Sequence, residues 1–283
     1  MNVQWFPGHM TRAKREMQEK LKMVDMIIEC RDARIPVSSE NPLLLDLAKD
    51  KPRLIVLSKQ DMADPIATKA WMHHLTSENT KVITVDLLEK SSRTKVIDAA
   101  LEVMKPKFDR WKARGIGARK IKAMVVGIPN VGKSTLINQL AQKKIMTTAN
   151  RPGVTMALKW ANVHPKLDLL DTPGVLWPKF DDAKVGIRLA LAGSVSEKVL
   201  PIDELAYYAF KFVLKHYPEA LEERYQYSGD DVQAFFEHLA KLRLYVRKDE
   251  LLLEQAYQTF LREVRQGTLG AMSFEYVENV DRE

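Results

Sequence analysis

One cysteine, Cys30, is the whole thiol inventory of this 283-residue chain. An internal disulfide framework is therefore excluded, and a reducing compartment is the expectation. Within the apolar run 24–30 that thiol reads as a buried strand residue rather than a nucleophile. No apolar run approaches the ~18 residues that a bilayer-spanning helix needs. The opening Met1-Asn-Val-Gln-Trp-Phe-Pro lacks the basic-then-apolar layout of a secretory leader, so a soluble, cytoplasmic protein is expected, with no membrane partner. Low-complexity tracts and internal repeats are absent. The six histidines fall at no metal-ligand spacing, and the pair His73-His74 reads as surface.

What is present is an ordinary globular composition, 46% hydrophobic and 29% charged, with length enough for a medium domain and a smaller one. The net charge of +7 is unevenly placed. Residues 1–178 carry 30 Lys/Arg against 18 Asp/Glu, whereas residues 179–283 carry 14 against 19. Basicity confined to one part of a chain points to a polyanionic partner there.

The pattern along residues 1–178 alternates short apolar runs with helical periodicity. Strand-like runs lie at 24–30, 54–57, 81–85, 124–126 and 167–170. Helical patterns lie at 11–22, 43–49, 65–77, 96–105 and 135–140. Such alternation predicts an α/β domain with a mostly parallel sheet covered on both faces. After Pro178 only helices are evident, at 201–218, 230–244 and 249–266, which predicts an all-α domain over 179–283.

The run Gly127-Ile-Pro-Asn-Val-Gly-Lys-Ser134 follows the strand Met124-Val-Val126 and precedes a helix. It matches the phosphate-loop pattern throughout. Its glycines let the backbone amides of Asn130, Val131, Gly132, Lys133, Ser134 and Thr135 turn towards an anion. Lys133 would reach the β- and γ-phosphates, and the Ser134 hydroxyl would ligate magnesium. Downstream, Asp171-Thr-Pro-Gly174 ends an apolar strand. There Asp171 can hold magnesium and the Gly174 amide can meet the γ-phosphate. In Arg151-Pro-Gly-Val-Thr155 between them, Thr155 can complete the metal shell.

Base recognition falls upstream. Leu54-Ile-Val-Leu57 runs into Ser58-Lys59-Gln60-Asp61, where the Asp61 carboxylate can accept from the ring N–H and the exocyclic amine of guanine. Adenine offers no such pair. The Lys59 stem would lie along the base, and Thr84-Val85-Asp86, after the next strand, can offer a backbone amide to the guanine carbonyl. Base-reading motifs that precede the phosphate loop imply a circularly permuted GTP-binding domain.

With Trp5-Phe-Pro-Gly-His-Met10, Asp32-Ala-Arg-Ile-Pro-x-Ser-Ser-x-Asn-Pro42 and this motif order, the chain resembles the circularly permuted ribosome-assembly GTPases. It is most similar to the ribosome biogenesis GTPase A family, over essentially its whole length. The resemblance implies GTP hydrolysis to GDP in maturation of the large ribosomal subunit and a helical C-terminal domain that contacts ribosomal RNA. One departure is Ser58, where the family has asparagine; serine can replace only part of the bracing that asparagine gives.

Val175 and Leu176 follow Gly174, so no side chain there can orient an attacking water. The family points to His9 for that task, while the residues alone allow it simply to brace the N-terminal helix. Asn130 can help hold a potassium ion beside the phosphates, or can merely brace its loop. Residues 105–122 hold eight Lys/Arg and one acid, with Trp111, Gly115 and Gly117 among them. They read as a basic, partly flexible connection suited to phosphate neutralisation and base stacking on RNA, together with 12–22 and 241–248. The readings left standing are a GTPase used as an assembly switch, monomeric in solution, and an RNA-binding scaffold that holds GTP with negligible turnover. A third is an ATP-dependent enzyme with a chance Ser-Lys-Gln-Asp.

Overall fold

Strand β1 (Met26–Asp32) is buried at every position, as a strand covered on both faces and paired on both edges must be. Its charged residues are tolerated because they are paired: Arg31 Nε donates to Glu29 Oε1 at 2.8 Å, and Arg31 also reaches Glu40. The computed structural model describes residues 18–42, 51–117, 119–143, 159–172, 182–195 and 201–279.

β1 lies between β2 (Arg53–Ser58) and β4 (Ile121–Val126), with β3 (Thr80–Thr84), β5 (Lys159–His164) and β6 (Leu167–Asp171) completing a sheet of order β3-β2-β1-β4-β6-β5. All neighbours are parallel except the edge pair β5–β6. Helix α1 (Pro65–Leu75) covers one face, where Met72 and Leu75 meet Ile55, Leu57 and Val82. Helices α2 (Ser91–Val103) and α4 (Lys133–Ala141) cover the other, placing Val96, Ile97, Leu136 and Ile137 in the main core. Two differences from the sequence reading stand out here. β5 gave no readable signal, and the first half of the connection read at 105–122 is helix α3 (Lys105–Ala113).

Beyond β6 come α5 (Ala183–Leu191), α6 (Ile202–His216), α7 (Pro218–Tyr225), α8 (Val232–Leu242) and α9 (Leu253–Arg265). The helix expected over 201–218 ends at His216, and Pro218, which has no N–H to leave unpaired, begins the next one. A minimal hairpin of β7 (Val246–Arg247) and β8 (Glu250–Leu251) joins α8 to α9, the one extended pair among the described residues of this region. Phe210 and Phe235 stack at 4.6 Å between α6 and α8, and Phe260 of α9 closes on Phe235 at 5.2 Å. The same core continues into the sheet.

The chain then returns to the α/β part. The Met272 amide donates to the Met62 carbonyl at 2.9 Å and the Phe274 amide to the Arg34 carbonyl at 2.8 Å. The fully buried Trp71 indole donates to the Glu275 carbonyl at 3.0 Å. Among the described residues no helix is long and apolar enough to cross a membrane. The boundary expected at residue 178 lies outside the described residues.

Candidate guanine nucleotide site

In an open parallel sheet, ligands gather beyond the carboxyl ends of the strands where the chain order reverses. Here β2 ends at Ser58, β3 at Thr84, β4 at Val126 and β6 at Asp171. All the described motifs singled out in the sequence therefore emerge along one edge. The register sharpens this: Leu57 lies beside Thr84, Asp32 beside Ser58, and Val125 beside Asp171.

The phosphate loop is shaped by close backbone approach. A Cβ on Gly127 would sit 2.4 Å from the Cys30 carbonyl oxygen, so only glycine lets the loop leave β4 so close to β1. Gly132, at φ +90°, starts α4. Aspartates cap α1, α5 and α8: Asp64, Asp182 and Asp231 each accept from first-turn amides. No side chain caps α4. Its first amides, in Lys133, Ser134 and Thr135, are thus available to an anion.

Lys133 is buried, and its Nζ donates to the Ile128 carbonyl at 2.6 Å, which holds the ammonium inside the curl of the loop. Burial pushes it down to about 8, against the opposing influence of Cys30 and Asp171. Cys30 behaves as the buried strand thiol that was expected, pushed up to about 12 chiefly by burial. Asp171 is fully buried, at the level of Val125 and within electrostatic reach of Lys133. With the half-buried Ser134 it gives hard oxygen donors of the kind magnesium takes. Among the described residues no cluster of three His, Cys, Asp or Glu forms a separate metal site.

Base-loop and phosphate-loop segments are joined by Ser58. Its fully buried hydroxyl lies 2.8 Å from the Val131 carbonyl and 3.0 Å from the Arg31 carbonyl, with one proton to donate between them. Serine thus supplies a direct brace. Lys59 has a left-handed backbone, φ 59°, and opens a 3-10 turn at Gln60–Met62 that presents Asp61 to solvent. The expectation that Thr84-Val85-Asp86 offers guanine a backbone amide is narrowed by the ladder. The Val85 amide is taken by the Leu57 carbonyl at 2.8 Å, extending the sheet ladder, so it is not spare for guanine. The Asp86 carboxylate accepts from the Leu88 amide at 2.8 Å and so holds its own turn. Thr84 is buried as the last residue of β3. Asn130, at φ 60°, donates from Nδ2 to the Gly193 carbonyl at 3.1 Å and ties the phosphate loop to the end of α5.

His9, Thr155 and Gly174 lie outside the described residues, as do the segments 5–10 and 151–155. Trp111, the aromatic within the basic segment 105–122, has its ring engaged by the Arg119 guanidinium at 4.2 Å and by Lys107 at 5.3 Å. Both cations also pair with Asp25. The aromatic that stands out on this side is Trp160 of β5, 42% exposed beside Lys122. Sequence reading also gave no role to Asp32 and Arg34. Arg34 Nε and Nη2 fork onto Asp32 at 3.0 and 2.8 Å, and Lys59 Nζ shares Asp32 Oδ2 at 2.8 Å. The spacing Asp-x-Arg at the end of a buried strand was the available signal.

The ribosome biogenesis GTPase A of Bacillus licheniformis is 42% identical over 283 residues, covering 99% of this chain and all of that protein. The chain belongs to the ribosome biogenesis GTPase A family. It is a GTPase, and the family places it in ribosome assembly. The family model described as a 50S ribosome-binding GTPase matches residues 122–226. That match begins at β4 and leaves out Ser58–Asp61, as the permuted motif order requires. Two Thermotoga maritima YlqF structures extend the likeness to nearly the whole fold. The GNP-bound one matches at TM-score 0.66 and 26% identity, over 94% of this chain and 98% of its own. The GDP-bound one matches at 0.67 and 28%, over 93% and 100%. The fold is a circularly permuted phosphate-loop GTPase domain followed by a helical region.

Proposed function

We propose that this GTPase binds the large ribosomal subunit or its precursor and uses GTP binding and hydrolysis as a switch in late subunit assembly. The observation that carries the reading is the bond from Asn130 to Gly193, which couples the phosphate loop directly to the helical region. A change at the γ-phosphate then has a short path to the part of the chain outside the nucleotide domain. In this reading residues 1–178 form the GTP-binding domain and 179–283 the domain that contacts ribosomal RNA, and the protein works as a cytoplasmic monomer.

Within the site, Asp61 reads guanine, Lys59 lies along it, and the amides from Asn130 to Thr135 hold the phosphates. Ser134, Asp171 and Thr155 hold magnesium, which when bound neutralises charge on the β- and γ-phosphates. Lys133 stabilises the same charge, His9 positions the attacking water, and Gly174 meets the γ-phosphate. For potassium, Asn130 would present its side-chain oxygen while its nitrogen keeps Gly193. The basic surface of the nucleotide domain, and the exposed Trp160 beside Lys122, support an RNA partner.

Cosedimentation with large subunits and their precursors tests the switch. Binding is expected with a non-hydrolysable GTP analogue and release with GDP. Equal binding in both states, with negligible turnover on the particles, would instead support a scaffold that merely holds GTP.

A further inference from the structure

We propose that Asp32 is a positioning residue of the guanine site, holding the Lys59 side chain where its stem lies along the base. The inference rests on the reading that Ser58–Asp61 recognises guanine. It starts from register: Asp32 and Ser58 end adjacent parallel strands side by side, so the carboxylate lies one residue from the lysine that follows β2. Lys59 Nζ meets Asp32 Oδ2 at 2.8 Å, and the Lys59 backbone is left-handed, a conformation that is unfavourable for a non-glycine residue. An unfavourable backbone fixed by a charged tether is a device for aiming a side chain.

Asp32 is itself held rigid. The Arg34 amide and Nε both donate to Oδ1 at 3.0 Å, and Nη2 donates to Oδ2 at 2.8 Å. Its own amide donates to the Ser39 hydroxyl at 3.1 Å. Burial alone would raise the Asp32 carboxyl, but Arg34 and Lys59 together outweigh it and keep it well below the usual carboxylate range. It is an anion throughout the physiological range. Arg34 is anchored in turn: Nη1 donates to the Arg265 carbonyl and Nη2 to the Ala192 carbonyl, both at 2.9 Å. These carbonyls close the C-terminal ends of α9 and α5, where a guanidinium is favoured. The aim of Lys59 is therefore set against the helical region and not by the base loop alone.

A lysine that served only by packing its stem could be replaced by methionine without loss. The test measures GDP and GTP affinity of the full chain for Lys59→Met, Asp32→Asn and the double variant, with Asp61→Asn as reference. Lys59→Met is expected to weaken both nucleotides about tenfold, Asp32→Asn by a similar factor, and the double variant little more than either single one. If Asp32→Asn fails to fold, Lys59→Met alone decides, because it leaves Asp32 and Arg34 in place. Unchanged affinity in Lys59→Met, or fully multiplicative losses in the double variant, overturns the proposal. Asp61→Asn separates the two levels. If it moves preference from GTP to xanthosine triphosphate while the other variants are neutral, only the Asp32 role is lost. If it does not, base recognition by this loop and the Asp32 role both fall.

Discussion

Lys133 shows what burial does to a phosphate-binding cation. Held down to about 8, it loses its proton in the free protein just above neutral pH, whereas a bound phosphate would keep it charged. GDP affinity is therefore expected to fall as pH rises above about 8, approaching tenfold per unit, with the slope lost in Lys133→Met. Fluorescent GDP titrations across that range check it, and a flat profile in the wild type would refute it. The sign for stability is the reverse. A lysine depressed from 10.5 carries its penalty below about pH 8 and is relieved of it as pH climbs towards the ordinary value. Ser58 makes a different point at this scale. As a letter in the sequence it is a deficient asparagine; in place, its hydroxyl reaches the carbonyls of two other segments of the site.

Among the elements, the turn from β4 into α4 tolerates least change. Gly127→Ala would drive a methyl to within 2.4 Å of a backbone oxygen in the central strand, which cannot move without breaking the sheet. A loss of about 3 kcal/mol or more in chemical denaturation, together with loss of GDP binding, is the expected result. Retention of wild-type stability would mean that the loop leaves β4 differently.

The strand, glycine turn and helix at 121–141 were the legible elements, because a buried parallel strand followed by a glycine turn and a helix has few other uses. The elements missed had local reasons to be missed. In β5, Lys159–His164 mixes charged, aromatic and polar residues, as an edge strand with one open side can. The helix α3 is so basic that it reads as a solvated connection. Its helical signals were Pro106 in the first turn and Phe108 with Trp111 three residues on, which pack edge to face at 5.6 Å. Asp32 could not be assigned from the sequence because its role depends on which strands are neighbours. Which amide of Thr84-Val85-Asp86 is spare could not be read for the same reason: it depends on where the ladder stops.

At the level of the molecule, the returning segment 272–275 holds the two parts together. It pairs with Met62 and Arg34, caps Trp71, and places the Glu275 carboxylate on the Val37 and Ser38 amides at 2.7 and 2.9 Å. Removing residues 272–283 would expose Trp71 and the Phe212 ring that Phe274 covers, and leave several buried groups unmet. A loss of more than ~3 kcal/mol is expected, with weaker GDP binding because the 32–41 loop loses its anchor. Thermal melts and Trp fluorescence of the shortened chain measure this; a melt that superimposes on the full-length one would show the segment to be dispensable.

The strand order carries a consequence for the history of each molecule. β1 is synthesised early yet lies at the middle of the sheet, where Ile27 meets Arg53 on one side and Met26 must await Ala123 on the other. During translation the three strands β1, β2 and β3 can zip together while one flank of β1 stays bare, an apolar edge open to wrong partners until residues 121–126 emerge. The strands that end at Ser58 and Thr84 can thus pair before the glycine turn at 127–132 has been made. Such late, long-range closure slows folding, and a nascent chain of this family spends that interval as an unfinished sheet.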